Sequence, residues 1–315
     1  MRVLFWGTPE FAAAPLRALV GEGFEVTGVV TQPDKPQGRS RTLTPPPVKQ
    51  IALEESLPVY QPRSPKDDEF FDAIQRMAPD ISVVVAYGHI LPRRIVDLPR
   101  MGTLNIHASL LPALRGAAPI QAAIRQGFTE TGVTIMRMVP ALDAGPIILP
   151  SATPILDDET YGELQNRLSE LGALTLLESL ALMELGGITE QPQDDSKATY
   201  APKVTRTDAL VDWNLTAGEV ARAIRAYDPK PGAFTTIHGA DVKLFGPVVM
   251  SIDSIAGLPN IPEAGDVVSV ENGMTVMCAD TLLRIQDVQP SGKTRMPSAQ
   301  WARGRGVGVG DKFGA

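Results

Sequence analysis

Residues 80–88, "DISVVVAYG", constrain the fold more than any other stretch. Their run of valines leaves no polar face, as a strand buried on both sides requires. Such a strand needs helices above and below it, and the flanking sequence supplies them. "RVLFWG" (2–7) and "EVTGVVTQ" (25–32) are further apolar runs, separated by "PEFAAAPLRALVGEG" (9–23), which has helical spacing and a glycine stop. "VKQIALEES" and "DDEFFDAIQRM" read as helices around a short strand, "LPVYQ". "GTLNIHAS" (102–109) and "TGVTIMRM" (131–138) read as strands with the helix "APIQAAIRQG" between them, and 159–187 as a long amphipathic helical stretch. Strands alternating with helices predict an α/β fold with a Rossmann-like, mostly parallel sheet. Sheets of that kind bind ligands beyond the carboxyl ends of their strands.

The texture changes near residue 190. "TEQPQDDSKATYAPKVTRTDA" is polar and carries prolines, and it reads as a linker. After one helical piece, "TAGEVARAIRAY" (216–227), the segments "GAFTTIHG", "DVKLFGPVVM", "GDVVSV", "GMTVMCA" and "TLLRIQDVQP" are short strands between Gly, Asn and Asp turns. Their close spacing predicts a smaller, β-rich barrel of the oligonucleotide-binding (OB-like) type. The expected organisation is a catalytic domain over 1–189, a linker over 190–206 and an OB-like domain over 207–315.

A length of 315 residues accommodates two such domains. The single cysteine, Cys278, excludes an internal disulfide and a multi-cysteine zinc site, and no two-histidine metal spacing occurs, so no metal is expected. "MRVLFWGTPEF" lacks the pattern of a secretory signal, and no apolar run is long enough to span a membrane; a cytoplasmic protein is expected. The net charge of −7 argues against a broadly nucleic-acid-binding surface but leaves room for local basic patches. Lys35, Arg39, Arg41 and Lys49 give residues 34–49 a local charge of +3, and the cluster that includes Lys293, Arg295, Arg303 and Arg305 gives residues 284–312 a charge of +4. Ordinary solvated surface charge accounts for both equally well.

"FWGTPEFAAAP" puts a glycine turn between the first strand and the first helix but lacks the second glycine of the dinucleotide fingerprint, and "GRGVGVG" (304–310) has no following helix and no Gly-Lys-Ser/Thr ending. Nicotinamide and phosphate-loop chemistries are therefore disfavoured. The informative stretch is "NIHASLLPALRGAAPI" (105–120), which holds one of only three histidines. Asn105 and His107 stand at i and i+2 of a strand, so their side chains share a face near its carboxyl end. An amide and an imidazole aimed at one point stabilise an oxygen that gains negative charge. On this pair alone, a histidine satisfied by core hydrogen bonds is the simpler reading. Asp143, in the Pro- and Gly-bounded loop "VPALDAGPIIL", shifts the balance if its strand neighbours "GTLNIHAS". A carboxylate beside a histidine favours imidazolium, and it can also accept a proton from a nucleophile. With no serine or cysteine in an elbow context, these residues point to acyl or amide transfer without a covalent enzyme intermediate.

"NIHASLLPALRGAAPI", followed by "ETGVTIMRM" and "LDAG", resembles the folate-dependent formyltransferase family. "FWGTPEFA", "VTQPDKPQGR", "VVVAYGHILP", "TYAPKV" and "IRAYDPKPGAF" extend the resemblance over nearly the whole chain, toward members that act on a charged initiator tRNA. Ala108, Leu114 and Lys230 depart from the family pattern. The resemblance implies transfer of a formyl group from 10-formyltetrahydrofolate to the α-amino group of methionyl initiator tRNA through a tetrahedral oxyanion. It implies that Asn105 and His107 stabilise that oxyanion while Asp143 supports His107 and helps move the proton. Ser109, Leu110, Leu111 and Pro112 are expected to line the folate. Tyr87, Gly88, His89, Ile90 and Leu91, with Ala141, Leu142 and Gly145, are expected to read the pterin edge. Lys35, Arg39 and Arg41 are expected at the acceptor end of the tRNA, and Lys293, Arg295, Arg303 and Arg305 on its backbone. The protein is expected to be monomeric. Alternatives are an amino-sugar or nucleotide acceptor, or hydrolysis of formyltetrahydrofolate.

Overall fold

The computed structural model describes residues 1–37, 42–251 and 262–314. The chain forms two compact units. The first takes Met1–Pro119, Glu130–Pro154 and Gln165–Ala201; the second takes Ile120–Thr129, Ile155–Leu164 and Pro202–Ala315.

The strands of the first unit are β1 (Arg2–Gly7), β2 (Glu25–Val30), the hairpin β3 (Lys35–Gln37) and β4 (Thr42–Thr44), β5 (Val59–Tyr60), β6 (Ile81–Val85), β7 (Thr103–His107), β8 (Arg115–Gly116), β9 (Glu130–Arg137), β10 (Ile147–Pro154) and β11 (Tyr200–Ala201). Its helices are α1 (Ala13–Gly21), α2 (Pro47–Glu54), α3 (Asp68–Met77) and α4 (Arg93–Val96). Helix α5 (Pro119–Arg125) belongs to the second unit from Ile120 on, and α6 (Tyr161–Glu184) crosses from the second unit to the first at Gln165.

Seven strands make one sheet in the order β10-β9-β7-β6-β1-β2-β5. From β7 to β5 every neighbouring pair is parallel, whereas β9 and β10 are antiparallel. All five residues of β6 are buried, as its valine run requires. Beneath this part of the sheet, Trp6 meets Tyr87 and Phe70 edge to face at 5.3 and 5.9 Å, among Leu4, Val30, Ile74, Val84, Leu91 and Ile95. Helix α3 is capped before its first residue by Asp67, whose side chain accepts from the Glu69 N–H at 3.0 Å, and after its last by Ala78 in the left-handed region.

The polar segment that follows α6 is bonded into this unit. Glu190 pairs with Arg137 (Nε–Oε1 3.0 Å), Gln191 bridges Ile147, and β11 lies parallel to β8 with Tyr200 opposite Arg115 and Ala201 opposite Gly116.

In the second unit, α7 (Ala217–Tyr227) starts with a reciprocal Thr216–Glu219 capping box and packs on an antiparallel sheet. The sheet contains β12 (Phe234–Ile237), β13 (Ala240–Val249), β14 (Val267–Ser269), β15 (Met274–Met277) and β16 (Leu282–Pro290) in the order β12-β13-β16-β15-β14, with β17 (Met296–Pro297) also on β16, and α8 (Ser298–Arg303) follows. It curls into a half-barrel. Each of the five strands expected from the turn spacing is present. Trp213 stacks on Phe313 at 5.6 Å and donates from Nε1 to Thr235 Oγ1 at 3.0 Å. No described helix is long and apolar enough to cross a membrane.

Candidate active site

Asn105 and His107 project from one face of β7, as their spacing predicts. Asp143 reaches them by a different route from the one the sheet rule suggests. β9 runs antiparallel to β7, with Arg137 opposite Leu104 and the Met138 N–H bonded to the Thr103 carbonyl at 2.8 Å. The loop after β9 therefore leaves beside the amino end of β7 and turns back toward His107. Gly145 permits that turn: a Cβ there would lie 1.7 Å from the Arg137 carbonyl oxygen.

Asp143 has φ +48, in the left-handed region, and its Oδ2 accepts from the Gly116 N–H at 2.8 Å. The same oxygen lies 3.7 Å from His107 Nδ1, an ion-pair distance too long for a hydrogen bond. His107 is buried, and its Nε2 lies 3.0 Å from the Leu114 carbonyl oxygen. A carbonyl oxygen can only accept, so Nε2 carries the hydrogen. In the neutral ring Nδ1 then holds the lone pair on the Asp143 side. Burial lowers the His107 pKa below the ordinary 6.5 and outweighs the opposing pull of Asp143 and of the Leu114 carbonyl. At neutral pH the resting ring is neutral, where the carboxylate neighbour alone had suggested imidazolium.

Asn105 is half-buried, and among the described residues its side-chain amide has no protein partner. Its backbone pairs with Val84 of β6, one residue before that strand ends, so the turn after β6 opens next to it. In that turn Ala86 (φ +47) and Gly88 (φ +89) bend the chain so that Gly88, His89 and Ile90 are exposed while Tyr87 and Leu91 are buried. Among the described residues the backbone N–H and C=O groups of Gly88, His89 and Ile90 have no protein partner. They form an open donor–acceptor edge of the kind a flat heterocycle needs. The Tyr87 ring belongs to the core. Its hydroxyl is buried without a partner and burial pushes its pKa up to about 12, while its carbonyl accepts from Thr8 Oγ1 at 3.0 Å and Gln32 Nε2 at 3.3 Å.

After β7, Ser109 donates to the Ala113 carbonyl at 2.5 Å, and Thr134 Oγ1 donates to the Ser109 carbonyl at 2.6 Å while accepting from the Leu111 N–H at 3.1 Å. The Leu111–Pro112 peptide is cis. Ser109 and Leu111 are buried and shape the turn; Leu110 and Pro112 are half-buried and available to a ligand. Ala141 and Leu142 are exposed at the tip of the Asp143 loop, and Gly145 is buried at its base.

The basic residues divide. Lys35 is exposed and donates to Gln32 Oε1 at 3.1 Å. Arg39 and Arg41 lie outside the described residues. Lys293, Arg303 and Arg305 are exposed, and among the described residues their side chains have no ion pair. Arg295 is committed within its own unit: Nε donates to Asp287 Oδ2 at 3.0 Å, Nη1 to Asp228 Oδ1 at 3.3 Å, and its guanidinium lies 4.2 Å over the Phe245 ring.

Three supporting residues escaped the sequence reading: the Leu114 carbonyl, Gln193 and Thr199. Gln193 and Thr199 lie in the polar stretch taken for a linker, and "TYAPKV" was the only signal near them.

The formyl transferase family pattern matches residues 1–180, and the pattern of the formyl transferase C-terminal domain matches residues 203–306. The chain belongs to the formyltransferase family. It is 44% identical over 316 residues to the methionyl-tRNA formyltransferase of Aromatoleum aromaticum, with 100% of this chain and 98% of that protein covered. It is 42% identical over 315 residues to the methionyl-tRNA formyltransferase of Bacillus subtilis, covering 99% of this chain and 98% of that one. Among solved structures, HypX from Aquifex aeolicus in complex with tetrahydrofolic acid shares the formyltransferase fold at TM-score 0.69 and 20% identity; it covers 98% of this chain, which spans 48% of HypX. The N-formyltransferase from Helicobacter canadensis, in complex with folinic acid and dTDP-3-aminofucose, shares it at TM-score 0.66 and 15% identity, over 91% of this chain and 98% of that one.

Proposed function

We propose that this formyltransferase transfers the formyl group of 10-formyltetrahydrofolate to the α-amino group of methionyl initiator tRNA, acting in the cytoplasm as a monomer. The observation that carries the reading is the full-length identity, across both units, with relatives named for that activity. The open backbone edge at Gly88–Ile90 and the half-buried Leu110 and Pro112 suit a flat, partly apolar folate. When bound, the folate supplies a formyl carbon already activated as an amide of its N10 nitrogen.

This chain's own residues supply the rest. The Asn105 amide N–H donates to the formyl oxygen as that oxygen gains charge. His107 Nδ1, with its lone pair free, takes the proton from the attacking amine as the new C–N bond forms. The imidazolium so produced is held by the Leu114 carbonyl at 3.0 Å and faced by Asp143 at 3.7 Å. His107 then returns the proton from Nδ1 to the departing folate nitrogen as the old C–N bond breaks, so no net charge remains on the enzyme. Lys35, Lys293, Arg303 and Arg305 are exposed and offer cations for RNA phosphates, and the sequence adds Arg39 and Arg41 near Lys35.

The test is formyl incorporation onto charged initiator tRNA, with Asn105→Ala and His107→Ala as controls. Loss of incorporation in both variants is expected. Turnover at the parent rate in either one removes that residue from the chemistry.

A further inference from the structure

Asp143 and Leu114 are both non-glycine residues in the left-handed region, at φ +48 and φ +59. That conformation is strained for a residue with a Cβ and persists only where the surroundings impose it. One segment, residues 193–199, contributes to both surroundings. Gln193 Nε2 donates to two carbonyls of the Asp143 loop, those of Asp143 at 2.8 Å and Gly145 at 2.7 Å. The orientation of the Gln193 amide is itself fixed, because its Oε1 accepts from Arg115 Nε at 3.1 Å and Nη2 at 2.8 Å. Arg115 is only 3% exposed, and its charge is met by Asp195 at 2.7 Å. A few residues on, Thr199 Oγ1 accepts from the Leu114 N–H at 2.9 Å and the Thr199 carbonyl accepts from the Arg115 N–H at 2.8 Å. Leu114 is the residue whose carbonyl holds His107 Nε2. One strap thus reaches both members of the His107–Asp143 pair without touching either side chain.

We propose that Gln193 and Thr199 are positioning residues of the transfer reaction, Gln193 for the Asp143 carboxylate and Thr199 for the His107 ring. The proposal rests on the reading that His107 and Asp143 carry formyl transfer. Gln193 supplies an acceptor to Arg115 and a donor to the loop at once; glutamate keeps the first and loses the second. Thr199 acts through its hydroxyl, and valine of nearly the same shape removes only that. Asp143 is the one ionisable group among the described residues within ion-pair reach of His107, so a displaced loop has a defined electrostatic signature.

The experiment measures kcat, both KM values and the pH dependence of kcat for the full-length enzyme carrying Gln193→Leu, Gln193→Glu or Thr199→Val, with Asp143→Asn alongside. A misplacement of the pair is expected to lower kcat about tenfold to a hundredfold. The KM for charged tRNA should stay within about twofold of the parent in every variant, and so should the folate KM in Thr199→Val, which leaves the loop carrying Ala141, Leu142 and Gly145 in place. In Gln193→Leu the acid limb of kcat should move to lower pH, because a carboxylate drawn away from His107 no longer raises its pKa. In Thr199→Val, nitrogen NMR of ring-labelled histidine should show His107 leaving the single Nε2–H tautomer. A purely architectural role predicts a lower melting temperature and weaker substrate binding, with limb and tautomer unmoved, and that result overturns the proposal. Should the Gln193 variants fail to fold, Thr199→Val decides: a parent-like tautomer and kcat reject it. Parent-like turnover in Asp143→Asn removes the underlying reading, whereas an inactive Asp143→Asn with parent-like Gln193 variants removes this proposal alone.

Discussion

Replacing Asp143 by asparagine separates the charge of this residue from its scaffold. Asparagine keeps an oxygen for the Gly116 N–H, now 2.8 Å from Asp143 Oδ2, and leaves both Gln193 bonds to the backbone intact. What disappears is the negative charge 3.7 Å from His107 Nδ1. At an effective dielectric of about 20, two unit charges at about 4 Å interact by about 4 kcal/mol. The resting ring is neutral, so this energy is realised only after the proton has moved to His107 and it stabilises the transition state selectively. Each 1.36 kcal/mol is tenfold, so the upper bound on the loss is about a thousandfold in kcat, and a loss of at least about a hundredfold is expected. The assay is initial-rate formyl transfer to charged initiator tRNA at saturating folate, with a thermal melt to show that folding survives. The pH profile gives an independent check. Removing the carboxylate lowers the His107 pKa further, so the acid limb of kcat/KM should shift to lower pH while the plateau falls. Titration of the substrate amine is common to both enzymes and cancels in the comparison. A loss of less than about tenfold, or a limb that moves upward, would refute the charge argument.

Gly145→Ala should displace the Asp143 loop, since the added Cβ would lie 1.7 Å from the Arg137 carbonyl oxygen; kcat and melting temperature should fall together, and a parent-like kcat would contradict the proposed route of the loop. Arg295→Ala should act mainly on stability, because it leaves the buried Asp228 carboxylate, whose pKa burial already raises, without its cation; about 1–3 kcal/mol is expected in denaturant unfolding. Arg303→Ala and Arg305→Ala, whose side chains are exposed, should leave stability unchanged and each reduce the slope of log affinity against log salt by about 0.7–0.9 if each meets one phosphate. Acidification below the ordinary histidine pKa of 6.5 should destabilise the fold through His107: its folded pKa is lowered, so the unfolded chain binds the proton more readily and stability falls as pH falls; His107→Gln should flatten that part of the profile measured by thermal melts.

The sheet was legible because its strands are apolar runs and its helices are periodic, both properties of contiguous residues. Asn105 and His107 were legible as a pair because a strand repeats every two residues. The antiparallel direction of β9 was not, since pairing direction depends on the path of the connection and not on the composition of the strand. The resting charge of His107 was equally hidden. The sequence offers a carboxylate neighbour, whereas the depth of burial that reverses its effect comes from the packed fold. Gln193 and Thr199 sit in a polar, proline-containing stretch whose local signal is that of a loop; their roles rest on hydrogen bonds to residues 48 to 85 positions away. Arg295 was counted with the basic cluster, but Asp228 and Phe245, which engage it, are distant in sequence. The turns after β6 and β7, where the resemblance puts the folate, follow strands that end at Val85 and His107. Within them, which groups point outward was decided by φ angles at Ala86 and Gly88 and by the internal bonds of Ser109, and only the second glycine-like position was visible in the sequence.

The most direct test of the account is a side-by-side transfer assay in which purified protein and 10-formyltetrahydrofolate meet methionyl initiator tRNA, methionyl elongator tRNA, an amino-sugar nucleotide, glycinamide ribonucleotide, or no amine. The account predicts formyl-methionyl initiator tRNA as the principal product, formed at a rate that collapses in His107→Ala. Preferential formylation of a small-molecule amine, or rapid folate deformylation with no amine present, would contradict it.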